Sequence, residues 1–195
     1  MIRAITFDVG GTLIEKQKSV FEKLPKEVSV HKAEIKNILY TVKEYTDCEE
    51  KLLLRFLKPE QISLLKFYYT EQKEIKLKPF VADLFARLSK NYTLAIASNR
   101  HCLSRNYVNF DSVSKYISRF FYSNEIGIAK PSELFFKKCS EILDIPCSQI
   151  LHVGDSLNSD FNCAEKAGCR SLLWNTELSD TDNLKNLFEK LKSLA

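Results

Sequence analysis

Apolar and polar positions follow two different rhythms along the chain. Ile2, Ala4, Ile5 and Phe7 form a short apolar run that ends at Asp8 and is stopped by Gly10 and Gly11, which predicts a buried strand running into a loop. From about Glu15 to Lys78 the spacing becomes helical. Ile35, Ile38, Leu39, Val42 and Tyr45 fall on one face, a second run covers residues 52–57, and Pro59 opens a third helix with Ile62, Leu65 and Tyr69 on one side. After Pro79 strands return between helices. Val81, Leu84, Phe85 and Leu88 predict an amphipathic helix, residues 92–97 a strand ending at Ser98 and Asn99, and residues 120–123 another. A helix over 134–143 precedes a strand over 150–153 that stops at Gly154 and Asp155. A short helix then ends near Gly168, a last strand covers 171–174, and Leu184, Leu187, Phe188, Leu191 and Leu194 stripe a C-terminal helix.

Strands separated by single helices imply an α/β fold, with a Rossmann-like parallel sheet covered on both faces. The expected division is an α/β core of residues 1–14 and 79–195, with a small all-helical cap, residues 15–78, inserted after the first strand. An insertion there overhangs the carboxyl ends of the strands, where such sheets bind ligands. It is placed like a lid.

Composition changes this picture little. Of 195 residues, 45% are hydrophobic and 28% charged, an ordinary globular balance, and the net charge of +4 comes from lysines spread along the chain. Nucleic acid is not implied as a partner. The N-terminal stretch lacks the apolar length of a signal peptide or membrane span, so no membrane association is expected and the expected location is cytoplasmic. Cys48, Cys102, Cys139, Cys147, Cys163 and Cys169 match no zinc-site spacing and read as buried free thiols, with disulfides left open. A monomer or weak homodimer is expected.

Four polar features stand at comparable places: Asp8 after the first strand, Ser98 and Asn99 after a second, Lys130 and Pro131 before a helix, and Gly154, Asp155 and Ser156 after another strand. Each alone fits turn or cap chemistry. Three of them lie at strand carboxyl ends, which would gather them around one crevice.

In that order the four resemble the motifs of the haloacid dehalogenase-like superfamily. ITFDVGGTL is similar to its first motif, LAIASN to its second, GIAKP to its third and HVGDSLNSD to its fourth. The resemblance covers nearly all of the chain outside the insertion. It implies a Mg²⁺-dependent hydrolase, a phosphatase acting on a small phosphorylated metabolite through an aspartyl-phosphate on Asp8. Lys130 would balance charge on Asp8 and the phosphate, with Gly11, Ser98 and Asn99 as further phosphate contacts. The expected metal ligands are Asp8, Asp155 and the carbonyl of Gly10, with Asp160 either ligating or orienting them through water. A cation between a carboxylate nucleophile and an anionic phosphate cancels their repulsion.

One departure matters. The acid that family phosphatases carry two residues after the nucleophile is Gly10 here. Losing a general acid costs a factor of about 10²–10⁴ unless something compensates. The readings are a phosphatase for good leaving groups, or one in which water, His101 or an insertion residue moves the proton. A 2-haloacid dehalogenase or phosphonate-type hydrolase, and a non-catalytic binding or regulatory module, are the alternatives. The insertion offers His31, Tyr40, Tyr45, Arg55, Tyr68 and Tyr69, and Arg100 and His101 follow the second motif, but none of these names a substrate.

Overall fold

The first apolar run folds as β1 (Ala4–Phe7), with all four residues buried. The computed structural model describes residues 1–17, 20–22, 24–70, 74–103 and 108–194, with every side chain of these except Val20, Glu27, Ser29, Tyr69 and Thr70. Beyond β1 the insertion forms α1 (Lys26–Ser29), α2 (Lys32–Tyr40), α3 (Asp47–Leu53) and α4 (Pro59–Thr70). These helices close on a cluster of their own that includes Ile35, Leu39, Leu53, Leu57, Ile62 and Leu65. The side chain of Tyr69, expected on the same face as Ile62 and Leu65, lies outside the described ones.

Two helices here are shorter than the periodicity suggests. The face through Ile35 and Leu39 stops at Tyr40, leaving Val42 and Tyr45 in a connection. Thr46 draws the chain out of helix there: its backbone N–H donates to the Glu49 carboxylate and its hydroxyl accepts from the Cys48 N–H at 3.2 Å, a capping box that starts α3 afresh. The run 52–57 is helical only to Leu53, because Lys58 caps α4, accepting from the Ile62 and Gln61 N–H groups while its own N–H donates to Gln61 Oε1. Pro59 sits in the first turn, where a missing N–H costs nothing.

The remainder alternates: α5 (Val81–Leu88), β2 (Thr93–Ser98), β3 (Ile117–Tyr122), α6 (Ser123–Ile126), α7 (Leu134–Leu143), β4 (Ile150–Gly154), α8 (Cys163–Lys166), β5 (Arg170–Leu173) and α9 (Asp180–Ser193). The third strand begins earlier than expected and yields at Ser123 to the short α6. All pairings are parallel, in the order β3-β2-β1-β4-β5, so β1 lies at the centre between β2 and β4.

Side-chain alternation divides the core between the two faces of the sheet. Ile5, Phe7, Ile96 and Val153 meet Phe85 of α5, Trp174 and Leu187 of α9. Ala4, Ala95, Ala97 and Ile150 face the other way, toward Phe135, Phe136 and Cys139 of α7 and Ala164 of α8. Among the described residues no helix is long and apolar enough to cross a membrane. All six cysteines are free thiols; Cys139, Cys163 and Cys169 are buried as expected, whereas Cys102 and Cys147 are half-buried and Cys48 is exposed.

Phe85 is fully buried with its ring 5.0 Å from that of Phe7, so it joins α5 to the central strand. Phe85→Ala is expected to cost about 3–5 kcal/mol of stability, read from urea unfolding midpoints at unchanged slope.

Candidate active site

The sheet order reverses between β1 and β4, and the candidate residues stand on either side of that switch point. Asp8 follows β1, its N–H donating to the Val153 carbonyl at 2.9 Å and so extending the ladder by one residue. Asp155 follows Gly154, the last residue of β4. Carboxylate oxygens of Asp8, Asp155 and Asp160 all lie within 4.8 Å of one another.

Glycine is required at two positions of this cluster. A Cβ on Gly11, whose φ is +77°, would stand 2.4 Å from Asp155 Oδ2, and one on Gly154 would stand 2.4 Å from Asp160 Cγ. Neither could be accommodated without moving a carboxylate. Gly10 is different: a Cβ there meets nothing within 4 Å. The position where family phosphatases carry an acid is open space.

Lys130 is the hub. Its ammonium donates to Asp8 Oδ1 at 2.8 Å, to Asp160 Oδ1 at 2.5 Å and to the Ala97 carbonyl at 2.9 Å. Three hydrogens meet three acceptors, so Lys130 acts on anything further by its charge rather than by a hydrogen bond. Burial works to lower its pKa, but the carboxylates of Asp8 and Asp160 outweigh this and hold the ammonium charged. Burial pushes the Asp8 carboxyl up to about 6 against the pull of Lys130. Asp160 is buried too, yet Lys130 and His152 keep it well below the usual carboxylate range.

The other expected contacts are placed less uniformly. Ser98 ends β2 and is buried. The Asn99 amide is committed largely to the backbone of Lys130: Nδ2 donates to the Lys130 carbonyl at 2.8 Å and Oδ1 accepts its N–H at 2.9 Å. One amide hydrogen of Asn99 is left for a phosphate. Arg100 lies over the Tyr122 ring and within 3.5 Å of Glu125.

Two residues at the site escape sequence reasoning. Lys16, in the segment leading into the insertion, donates to Asp155 Oδ2 at 2.8 Å. Nothing in an isolated surface lysine points there. His152, inside β4, contacts Asp160 at 3.1 Å and Thr6 at 2.9 Å. Its only signal is a polar residue in an otherwise apolar strand.

His101, one expected carrier of the missing proton, is buried and stacked on Tyr40 of α2, the ring centroids 5.9 Å apart. Burial, with help from the Arg100 charge, depresses its pKa to about 3, so at neutral pH it is an uncharged imidazole with no proton to give as an acid.

Comparison with known proteins identifies the family. The model of a family described as haloacid dehalogenase-like hydrolase matches residues 2–168. The phosphoglycolate phosphatase of Aquifex aeolicus is 28% identical over 180 residues, 88% of this chain and 84% of that protein. The crystal structure of 2-haloacid dehalogenase from Pseudomonas syringae pv. Tomato superposes with a TM-score of 0.65 at 19% identity, covering 100% of both chains. A magnesium complex of a family enzyme from Bacteroides thetaiotaomicron gives 0.62 at 17% identity, covering 96% of this chain and 98% of that one. At such identities the structures establish the fold alone.

The His101 shift has a consequence for stability. Below its ordinary pKa of 6.5 the unfolded chain takes a proton that the folded one refuses until about pH 3, so stability falls as pH drops through that window. His101→Phe removes this term while keeping an aromatic ring against Tyr40. Between about pH 7 and 5 the parent should lose about 2 kcal/mol more than the variant in urea titrations. Equal losses would show the imidazole to be protonated in the fold.

Proposed function

Since the chain belongs to the haloacid dehalogenase-like hydrolases, we propose that it is a phosphatase for a small phosphorylated substrate, with Asp8 as the nucleophile. The observation that carries this reading is the buried Lys130 ammonium, 2.8 Å from Asp8, with the carboxylates of Asp155 and Asp160 gathered beside it. The relative named phosphoglycolate phosphatase supports the same reaction class.

The donor set fits Mg²⁺. Three carboxylates face two ammoniums, those of Lys130 and Lys16, so the cluster is short of positive charge and offers hard oxygen ligands. Asp8 and Asp155, with the Gly10 carbonyl, would hold the ion. Bound there, it would offset the repulsion between the Asp8 carboxylate and the phosphate. Asp160 accepts from Lys130, His152 and the Ser156 N–H, which suits an orienting role better than a ligating one.

An Asp8 oxygen attacks phosphorus while the bond to the leaving oxygen breaks, and the charge spreading over the phosphoryl oxygens is met by Lys130. The Gly11 N–H, the Ser98 hydroxyl and the remaining Asn99 N–H serve as neutral donors. Water then attacks the phosphorus of the aspartyl-phosphate, releasing inorganic phosphate and restoring Asp8.

Protonation of the leaving oxygen falls to neither of two candidate positions among the described residues. Gly10 carries no acid and His101 is uncharged. Substrates whose leaving oxygen departs as a stable anion, such as acyl phosphates, phosphoanhydrides and activated aryl phosphates, suit such a site.

Two variants test this. Asp8→Asn should lower turnover of an activated aryl phosphate in Mg²⁺ by on the order of 10³-fold or more, and unchanged phosphate release would sink the mechanism. At Gly10 a Cβ meets nothing within 4 Å, so Gly10→Asp begins without a clash. It should raise alkyl phosphate turnover by more than aryl phosphate turnover, within the range of about 10²–10⁴ that an acid supplies. Equal gains would mean that proton transfer does not limit the parent. Halide release from 2-haloacids in EDTA would instead assign the dehalogenase reaction.

A further inference from the structure

Beneath the nucleophile runs a chain of polar side chains with almost no access to water. Thr6 Oγ1 lies 2.9 Å from His152 Nδ1, His152 Nε2 lies 3.1 Å from Asp160 Oδ1, and the same Asp160 oxygen takes the Lys130 ammonium that also holds Asp8. Thr6 and His152 are register partners on β1 and β4, so strand pairing itself sets them side by side on one face of the sheet. Their neighbours on that face are small or apolar: Ala4, Ala95, Ala97 and Ile150. The imidazole is fully buried, with its ring 4.5 Å from that of Phe136.

Packing alone asks for no histidine at such a place. An alanine or valine would fill a strand position against α7 without the cost of burying two polar nitrogens. Both nitrogens, however, have partners. A carboxylate that already receives the Lys130 ammonium can only accept, so the hydrogen of the imidazole sits on Nε2 and points at Asp160. Nδ1 is then the lone pair, and the Thr6 hydroxyl donates to it. Asp160 thereby receives three donors: Lys130 and His152 on Oδ1, and the Ser156 N–H on Oδ2 at 2.9 Å. Its side chain cannot turn without losing one of them.

We propose that His152, fixed by Thr6, is a positioning residue for the reaction: it locks Asp160, and through Asp160 the Lys130 ammonium, in the orientation that serves Asp8. The inference rests on the roles given above to Asp8 and Lys130. His152 touches neither phosphate nor nucleophile. It acts through a carboxylate whose rotation about its own side-chain bonds it restrains together with the Ser156 N–H and Lys130.

The full-length protein tests this with an activated aryl phosphate in Mg²⁺. His152→Leu, which keeps the site apolar and loses both hydrogen bonds, should lower kcat by about 10- to 100-fold. KM should move less than about threefold, because the ground-state contacts to substrate are elsewhere. His152→Gln, which can still donate to Asp160, should recover most of kcat. Thr6→Val should lower kcat in the same direction by a smaller factor, and add nothing when combined with His152→Leu. Equal kcat in His152→Leu and His152→Gln, or a full kcat in both His152→Leu and Thr6→Val, would overturn the proposal and leave His152 a packing residue. Should His152→Leu not fold, Thr6→Val and the imidazole ¹⁵N spectrum of the parent carry the test. That spectrum should show a neutral ring protonated on Nε2. An Nδ1–H tautomer overturns the chain even in an active enzyme, whereas a parent that turns over no phosphate ester but shows the Nε2–H ring overturns the phosphatase reading instead.

Discussion

A lysine ammonium buried among a carboxylate from each of two chain segments and a carbonyl from a third is the constraint on which this architecture turns. Only 2% of the Lys130 side chain is exposed, and taking such a charge out of water costs several kcal/mol. The cost is offset only while Asp8 at the end of β1, Asp160 beyond β4 and the Ala97 carbonyl in β2 stay together. The strand order makes this possible, because β1 lies between β2 and β4 and their carboxyl ends are neighbours. Removing either acid would leave the buried ammonium with one carboxylate in place of two and one acceptor short, a loss made costly by burial.

Close packing of the carboxylates explains two of the glycines. Gly11 and Gly154 are turn residues in the sequence pattern, and turn formation is what the pattern predicts for them. In the fold they are also the absent side chains against which Asp155 and Asp160 rest, with no room for a Cβ at either. Gly10 looks the same in sequence and differs in space, since nothing approaches it. Adjacent glycines thus do opposite things: one makes space that an acid fills, the other leaves space that an acid would fill.

Asp8 and Asp155 were legible because strand ends are marked by apolar runs and because parallel strands present their carboxyl ends on one side, whereas Lys130, in the loop before α7, was legible only through the resemblance of GIAKP to a family motif. The helix over Leu134–Leu143 was legible for a related reason: a long amphipathic stripe has one reading. What stayed hidden depends on register and reach. That His152 pairs with Thr6 follows from the alignment of β1 on β4, which no local pattern encodes. Lys16 reaches Asp155 across 139 positions of the chain. Asn99 read as a donor for phosphate, whereas most of its amide serves the backbone of Lys130, a partner 31 residues away. The breaks at Tyr40 and Leu53 were missed because capping by Thr46 and Lys58 competes with helical periodicity that runs on through them.

The insertion is tied to the loop that follows Ser98 and Asn99. The Cys102 N–H donates to the Leu39 carbonyl of α2 at 2.9 Å, Cys102 and Leu103 pack on the cluster of the insertion, and His101 stacks on Tyr40. Asn99, three residues before Cys102, grips Lys130 on the other side. Residues 99–103 thus contact α2 at one end and the backbone of Lys130 at the other. The insertion also begins at the segment that carries Lys16 to Asp155, so it touches the charge cluster from two directions. The contacts that hold α2 against the core and those that place Lys130 and Asp155 thus run through the same two short stretches of chain, residues 99–103 and the segment that carries Lys16.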